Sequence, residues 1–185
     1  MMELSKKMQE LVDAITRYRQ KLLDEVTGLN EAQLSFKASE AQWSIADILH
    51  HLALTDEANA KLAARVLRQA EENGLPPDPT PDASVLNCLD QFRETLGGTK
   101  AQAPERVVPR SHLPAAESLA RLAAAREGFL SSVHKLAQYD LSKVVYPHPL
   151  LGDLNLYQWI LIAGAHEGRH AAQVGRIKAQ EGFPK

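Results

Sequence analysis

Hydrophobic residues recur every three or four positions over four long stretches of the chain, which is the spacing of a helix with one buried face. The predicted helices cover residues 3–27, 44–73, 115–137 and 154–179. Ser44 is a favourable N-cap for the second of them. Four amphipathic helices of about 25 residues in one chain predict an all-α four-helix bundle.

A proline-rich connection separates the second and third long helices. It begins with LPPDPTPDAS and also holds Pro104, Pro109 and Pro114, so it cannot form one continuous helix. A shorter helix is predicted inside it, over residues 84–96. A connection of this length lets the second and third helices run parallel. No sheet is predicted, and VVYPHPLLGDLN is interpreted as a loop that allows one short strand. We expect residues 1–185 to form a single domain.

The composition is that of a globular protein, with 44% hydrophobic residues and a net charge of −2. A net charge this close to zero does not imply a large basic surface of the kind that binds nucleic acid, although it leaves room for a local basic patch. No run approaches the roughly 20 apolar residues needed to cross a bilayer, and the N-terminus lacks the apolar core of a signal peptide. The single cysteine, Cys88, excludes an intrachain disulfide. We expect a cytoplasmic protein that binds a small molecule rather than nucleic acid or a membrane.

Three histidines interrupt the predicted apolar faces. His51 lies between Ile48 and Thr55 on the second helix, while His166 and His170 stand four residues apart on the fourth, side by side. Unpaired polar groups are costly in a core, whereas one divalent ion binds three neutral imidazoles. The pattern therefore predicts a metal site. Histidines that only form hydrogen bonds within the core are the alternative.

The stretch HEGRH, residues 166–170, also matches the H-E-x-x-H pattern of zinc proteases, in which Glu167 would be the general base. Such proteases normally take a third ligand from further along the chain. Here only Glu181 remains as a carboxylate beyond the fourth helix, and no mixed sheet is predicted that would hold a peptide. We therefore favour His51 as the third ligand over a protease.

Two segments carry a family resemblance. In QWSIADILHHLALTDE a Trp-Ser pair starts the second helix, and a histidine follows eight residues after Trp43, which selects His51 rather than His50. In HPLLGDLNLYQWILIAGAHEGRHAAQV a His-Pro pair and a glycine precede a helix start, and H-x-x-x-H followed by Gln173 comes later. Both segments, at this separation, resemble the two signatures of the DinB-like family.

The resemblance covers residues 1–74 and 115–180 and leaves the insert, residues 75–114, unplaced. It implies an up-down-down-up four-helix bundle that is often dimeric. It also implies a zinc or nickel ion with an open coordination position, held by three histidines: His51, His166 and His170.

The family also suggests reactions. Characterised members transfer low-molecular-weight thiols or use one in an isomerisation. The resemblance therefore implies a thiol S-transferase or a hydrolase-type enzyme, with a low-molecular-weight thiol as a candidate co-substrate. The alternatives are a non-catalytic, metal-stabilised binding or stress-response module and an all-α interaction protein without metal.

Three further residues are candidates for roles at the site. Gln173 follows His170 by three residues and either orients a ligand or is a satisfied polar core residue. Glu167 is either a catalytic base, an acceptor for a ligand imidazole, or a surface glutamate. Arg126 falls on the apolar stripe of the third helix, where it either binds an anionic group of a substrate or cofactor or extends to solvent.

Overall fold

The computed structural model describes residues 4–92, 103–110, 113–148 and 150–185, and four long helices dominate them. The helices are α1 (Lys6–Val26), a short α2 (Glu31–Ser35), α3 (Ile45–Asn73), α4 (Ala115–Leu136) and α5 (Leu156–Lys178). The predicted all-α four-helix bundle is confirmed. In the described part of the chain, no helix is both long enough and apolar enough to cross a membrane.

Local capping fixes where the two histidine-bearing helices begin. At the start of α3 the Ser44 hydroxyl accepts from the Asp47 backbone N–H at 3.1 Å, and the Asp47 carboxylate accepts from the Ser44 N–H at 2.9 Å. At the start of α5 the side chains of Asn155 and Gln158 make the same reciprocal pair. These boxes satisfy N–H groups that the first helical turn leaves unpaired. They therefore fix the residue at which each helix begins.

Helices α1 and α5 pack side by side and run in the same direction. Near their middles, Gly164 of α5 lies against Ile15 of α1. Further along both helices, Lys178 donates to the Glu25 carboxylate at 2.8 Å. A Cβ atom at position 164 would lie 2.8 Å from Ile15 Cγ2 and 3.0 Å from Ile15 Cα, so only glycine permits this approach.

Helices α3 and α4 form the second parallel pair. Their N-terminal halves share one core cluster, which includes Leu49 and Leu122. Their C-terminal halves share the other, which includes Val66 and Val133 and also Leu11, from the N-terminal half of α1. The α3–α4 pair therefore runs opposite to the α1–α5 pair, and these are the directions of an up-down-down-up bundle.

The insert between α3 and α4 contains tighter turns than predicted. Instead of an α-helix over residues 84–96, the described residues form a 3₁₀ helix, Leu86–Phe92, and residues 93–96 lie outside the described ranges. The Gln158 side chain donates to the Cys88 carbonyl at 3.1 Å, so this carbonyl is bonded to α5. A second 3₁₀ turn, Glu105–Val107, follows.

A buried ion pair ties the insert to the bundle. The Lys7 ammonium lies 2.8 Å from the Asp78 carboxylate, and their side chains are only 8% and 7% exposed. The Tyr157 hydroxyl donates to the same carboxylate at 2.7 Å.

A two-stranded antiparallel hairpin precedes α5, so the prediction of no sheet is wrong here. Its strands are β1 (Val145–His148) and β2 (Gly152–Asn155). The Trp159 indole N–H donates to the Tyr146 carbonyl at 3.1 Å, which joins β1 to α5. Gly152 turns the chain with a φ of 72°. Pro147 within β1 weakens the strand pattern in the sequence.

Candidate metal centre

The structure brings together the three histidines that the sequence singled out. The Nε2 atom of His166 lies 3.4 Å from Nε2 of His51 and 3.1 Å from Nε2 of His170. One ring nitrogen from each residue falls within 4.8 Å of those of the other two. His51 and His170 are buried and His166 is half-buried. Two helices that are far apart in sequence thus supply three imidazole nitrogens to one point.

Two of the three rings are oriented through their Nδ1 atoms. The Nδ1–H of His51 donates to the Val107 backbone carbonyl at 2.7 Å, and that of His170 donates to Gln173 Oε1 at 2.9 Å. Oxygen acceptors at these distances place the ring proton on Nδ1. The lone pair of each Nε2 is therefore directed toward the other histidines. Gln173 thus contacts the His170 ring, and its role in orienting a metal ligand stays a prediction.

The surroundings of the histidines favour their neutral form. Burial, together with the neighbouring His51, lowers the pKa of His170 to about 4. Burial also lowers the pKa of His51, and it places the pKa of His166 well below its ordinary value. Neutral imidazoles are the form that binds metals. At neutral pH all three side chains are therefore ready to act as ligands.

A cation can satisfy the Nε2 atoms of the three imidazoles better than hydrogen bonds between the imidazoles can. His51 and His170 carry their protons on Nδ1, so their Nε2 atoms can only accept. His166 Nε2 has at most one proton to share between two acceptors. One of the two short nitrogen–nitrogen contacts is thus unsatisfied without an ion. A divalent ion satisfies all three nitrogens, and imidazole ligands suit zinc, nickel and related metals.

Among the residues that the structure describes, no fourth histidine, cysteine or carboxylate joins this group. Three protein ligands with further positions for water or substrate is the arrangement typical of catalytic rather than structural zinc sites. Of the three, His166 is half-buried, whereas His51 and His170 are buried.

Glu167 is not a surface residue, and the surface interpretation is wrong. It is 0% exposed. Its Oε2 accepts from Arg19 Nε at 2.9 Å, and its Oε1 accepts from Nη2 of Arg19 at 2.7 Å and Nη2 of Arg126 at 2.5 Å. Both oxygens are therefore engaged by arginines. A general base needs an oxygen within reach of the proton it removes, so this arrangement does not favour the protease interpretation.

Arg126 is buried rather than extended to solvent. Besides its bond to Glu167, its Nε lies 3.9 Å from Asp56 Oδ2. Asp56 also accepts from Arg19 Nη2 at 2.5 Å. We call Arg19, Asp56, Arg126 and Glu167 the buried charge cluster. The positive charge of Arg126 is already paired within it, and binding of an anionic substrate group by Arg126 stays a prediction.

Sequence reasoning missed Arg19, the member of this cluster on α1. Arg19 follows Ile15 by four residues and precedes Leu22 by three, so helical spacing places it on the buried face of α1. Asp56 is buried on α3. A charged residue at a core position of a helix was the available signal, because such a residue needs a partner of opposite charge.

Two aromatic contacts border the histidines. The Trp43 ring packs against His51, with 5.0 Å between ring centroids. His148 of β1 packs against Trp159 of α5, also at 5.0 Å. The charge of His148 is the smallest of the causes that lower the pKa of His166, after burial, the other two histidines and Arg169. The hairpin thus places a fourth imidazole near the group without making it a ligand.

The sequence of the chain is similar to those of two known proteins, one of which is named as a putative metal-dependent hydrolase. The chain is 28% identical over 156 residues to "Uncharacterized protein YuaE" of Bacillus subtilis (strain 168), covering 84% of this chain and 89% of that protein. It is 26% identical over 176 residues to "Putative metal-dependent hydrolase GK0616" of Geobacillus kaustophilus (strain HTA426), covering 95% of this chain and 86% of that protein.

The fold also matches a solved structure, that of TT2238, a four-helix bundle protein. The TM-score is 0.59 at 23% sequence identity, over 90% of this chain and 96% of that one. A family model described as the DinB superfamily matches residues 14–174. The match includes two of the long helices in full, most of the other two and the three converging histidines, and the chain therefore belongs to the DinB superfamily.

Proposed function

We propose that this protein is a metal-dependent enzyme of the hydrolase type, which binds one divalent ion through His51, His166 and His170. The observation that carries the proposal is that the Nε2 atoms of three histidines converge on one point. Two of these rings carry their proton on Nδ1, which leaves their Nε2 atoms free to bind an ion. Membership of the DinB superfamily and a relative named as a metal-dependent hydrolase support it.

The chain's own residues have defined parts in this proposal. A divalent ion at such a site acidifies a bound water and polarises a substrate. Val107 and Gln173 hold two of the rings in the ligand tautomer, and burial keeps all three imidazoles neutral. A small molecule would reach the proposed site past His166, which is half-buried while His51 and His170 are buried.

The identity of the metal and the finer reaction are part of the proposal. Three imidazoles suit zinc or nickel, and availability decides between metals of similar affinity. Transfer of a low-molecular-weight thiol is the second reaction proposed for the same site, on the family resemblance. A homodimeric state and a cytoplasmic location stay predictions.

Metal content is the first test. Protein purified without a histidine tag is expected to contain about one equivalent of a divalent metal, as measured by plasma mass spectrometry. Alanine at His51, His166 or His170 is expected to abolish binding. His134→Ala is the matched control, because His134 is exposed on α4. Wild-type protein that binds no zinc or nickel would contradict the proposal.

Activity is the second test. The metal-loaded protein is assayed against a panel of esters, amides and phosphoesters, and separately for thiol transfer to an electrophile, with and without chelator. Chelator-sensitive hydrolysis supports the hydrolase. Stoichiometric metal with no turnover in either assay would instead indicate a non-catalytic, metal-stabilised module.

A further inference from the structure

The buried charge cluster takes one residue from each long helix. Arg19 belongs to α1, Asp56 to α3, Arg126 to α4 and Glu167 to α5. Each member is at least nine-tenths buried. Glu167 stands between the two α5 histidines in the sequence, in the same helical turn. The cluster therefore connects the segment of α5 that carries two imidazoles to the other three helices.

The contacts to Glu167 are directional. Arg19 binds both carboxylate oxygens through Nε and Nη2, at 2.9 and 2.7 Å, which is a two-point contact that fixes the plane of the carboxylate. Arg126 approaches Oε1 from a different helix, at 2.5 Å. A carboxylate held from two sides by planar guanidinium groups cannot turn without breaking a bond. The rotation of α5 about its own axis is thereby restrained.

This restraint matters because metal sites tolerate little displacement. A helical side chain reaches about 6 Å from the helix axis, so each degree of rotation moves its end by about 0.1 Å. Metal–ligand distances must hold within about 0.2 Å. A rotation of α5 by only a few degrees would thus shift both its imidazoles relative to His51, which is anchored on α3 and Val107.

Stability alone does not account for four buried charges. Removing charges from water is costly, and buried ion networks can often be replaced by apolar residues without loss of stability. We infer that this network instead fixes one arrangement of the four helices that it joins. The cluster is neutral overall, with two arginines and two carboxylates, so it adds no net charge beside the histidines.

We propose that Glu167, clamped by Arg19 and Arg126, is a positioning residue that sets the rotation of α5 and so aims His166 and His170 at the point shared with His51. The inference rests on the proposed metal site. It gives the glutamate of HEGRH a role without contact with the substrate. A purely structural ion pair would affect folding but not metal affinity.

The test measures zinc and cobalt affinity by competition titration, together with the visible spectrum of the cobalt form. Glu167→Gln keeps the shape of the side chain and is expected to weaken metal binding about tenfold to hundredfold, as for other residues that orient metal ligands. Asp78→Asn is the matched control, because it breaks an ion pair between largely buried side chains that lies outside the charge cluster. It is expected to change affinity less than about twofold while also lowering stability.

A double variant separates geometry from charge. Glu167→Gln alone leaves one excess positive charge near the ion. Arg126→Gln with Glu167→Gln restores neutrality and also protects against misfolding, since no uncompensated charge remains. If positioning is the cause, the double variant still binds metal about tenfold or more weakly and its cobalt spectrum differs from that of the wild type.

Two results would overturn the inference while leaving the proposed function intact. One is wild-type affinity in Glu167→Gln, and the other is recovery of wild-type affinity and spectrum in the double variant, which would assign the effect to charge. Failure of the wild type to bind metal is a different result. It would overturn the proposed function, and the inference with it.

Discussion

Replacement of Gly164 by alanine tests the close packing of α1 against α5. The added Cβ would lie 2.8 Å from Ile15 Cγ2 and 3.0 Å from Ile15 Cα. Carbon atoms in contact normally stay about 3.5–4.0 Å apart. The Cα of Ile15 belongs to the backbone and cannot rotate away, so the helices must separate by about 0.5–1 Å. Overpacking of this kind costs about 1–3 kcal/mol.

Gly128→Ala is the control that isolates this cost. Gly128 is an exposed residue of α4, and a Cβ there would meet nothing within 4 Å. Both variants gain the same intrinsic helix preference of alanine over glycine, about 1 kcal/mol. The difference between them is therefore the overpacking term alone. We expect Gly164→Ala to be about 2 kcal/mol less stable than Gly128→Ala, or roughly 4–8 °C lower in Tm.

Urea unfolding followed by far-UV circular dichroism measures this difference, provided that both variants keep the wild-type dependence on denaturant concentration. Equal stabilisation of the two variants would refute the reasoning, because it would mean that α1 and α5 have room for a methyl group at position 164.

Two further predictions concern the histidines. Gln173→Leu removes the acceptor for His170 Nδ1–H and is expected to weaken zinc binding about tenfold to hundredfold in a competition titration. The control is Gln138→Leu, which replaces an exposed glutamine. If Gln173→Leu binds zinc as tightly as this control, Gln173 does not orient a metal ligand. In metal-free protein, the pKa of His170 is about 4 in the folded state and about 6.5 in the unfolded state. As the pH falls from 6.5 to 4, His170 therefore becomes protonated in the unfolded chain before it does so in the folded protein. The free energy of unfolding of the wild type should then fall relative to that of His170→Gln by about 1.4 kcal/mol per pH unit, and a constant difference between pH 6.5 and 4 would refute this. The raised pKa of Asp56, about 6 through burial and the nearby Glu167, acts in the opposite direction but is present in both proteins and cancels.

The parts of the site that were predictable from the sequence depend on local patterns. Ser44 and Asp47 lie three residues apart, so the start of α3 can be predicted from a short segment of the sequence. Once helix starts and the apolar stripe are known, the facing of His51, His166 and His170 follows from 3.6 residues per turn. Their convergence requires only that α3 and α5 adjoin in the bundle.

The parts that were not predictable depend on contacts between distant segments. The acceptor for His51 is a backbone carbonyl, that of Val107, and backbone atoms leave no signature in residue type. The Arg19–Glu167 pair spans 148 residues, and its partners were identifiable only as charges on core faces. The hairpin was missed because Pro147 is unusual within a strand.

The hydrogen bond between His51 and Val107 links the insert to the proposed metal site. The Val107 carbonyl stabilises the tautomer of His51 that leaves Nε2 free for an ion. Any process that draws the turn at Glu105–Val107 away from α3 therefore weakens metal affinity by some factor. Thermodynamic reciprocity requires that the bound ion hold the turn in place by the same factor. A molecule that binds the insert would consequently regulate metal occupancy from the surface, without touching a histidine.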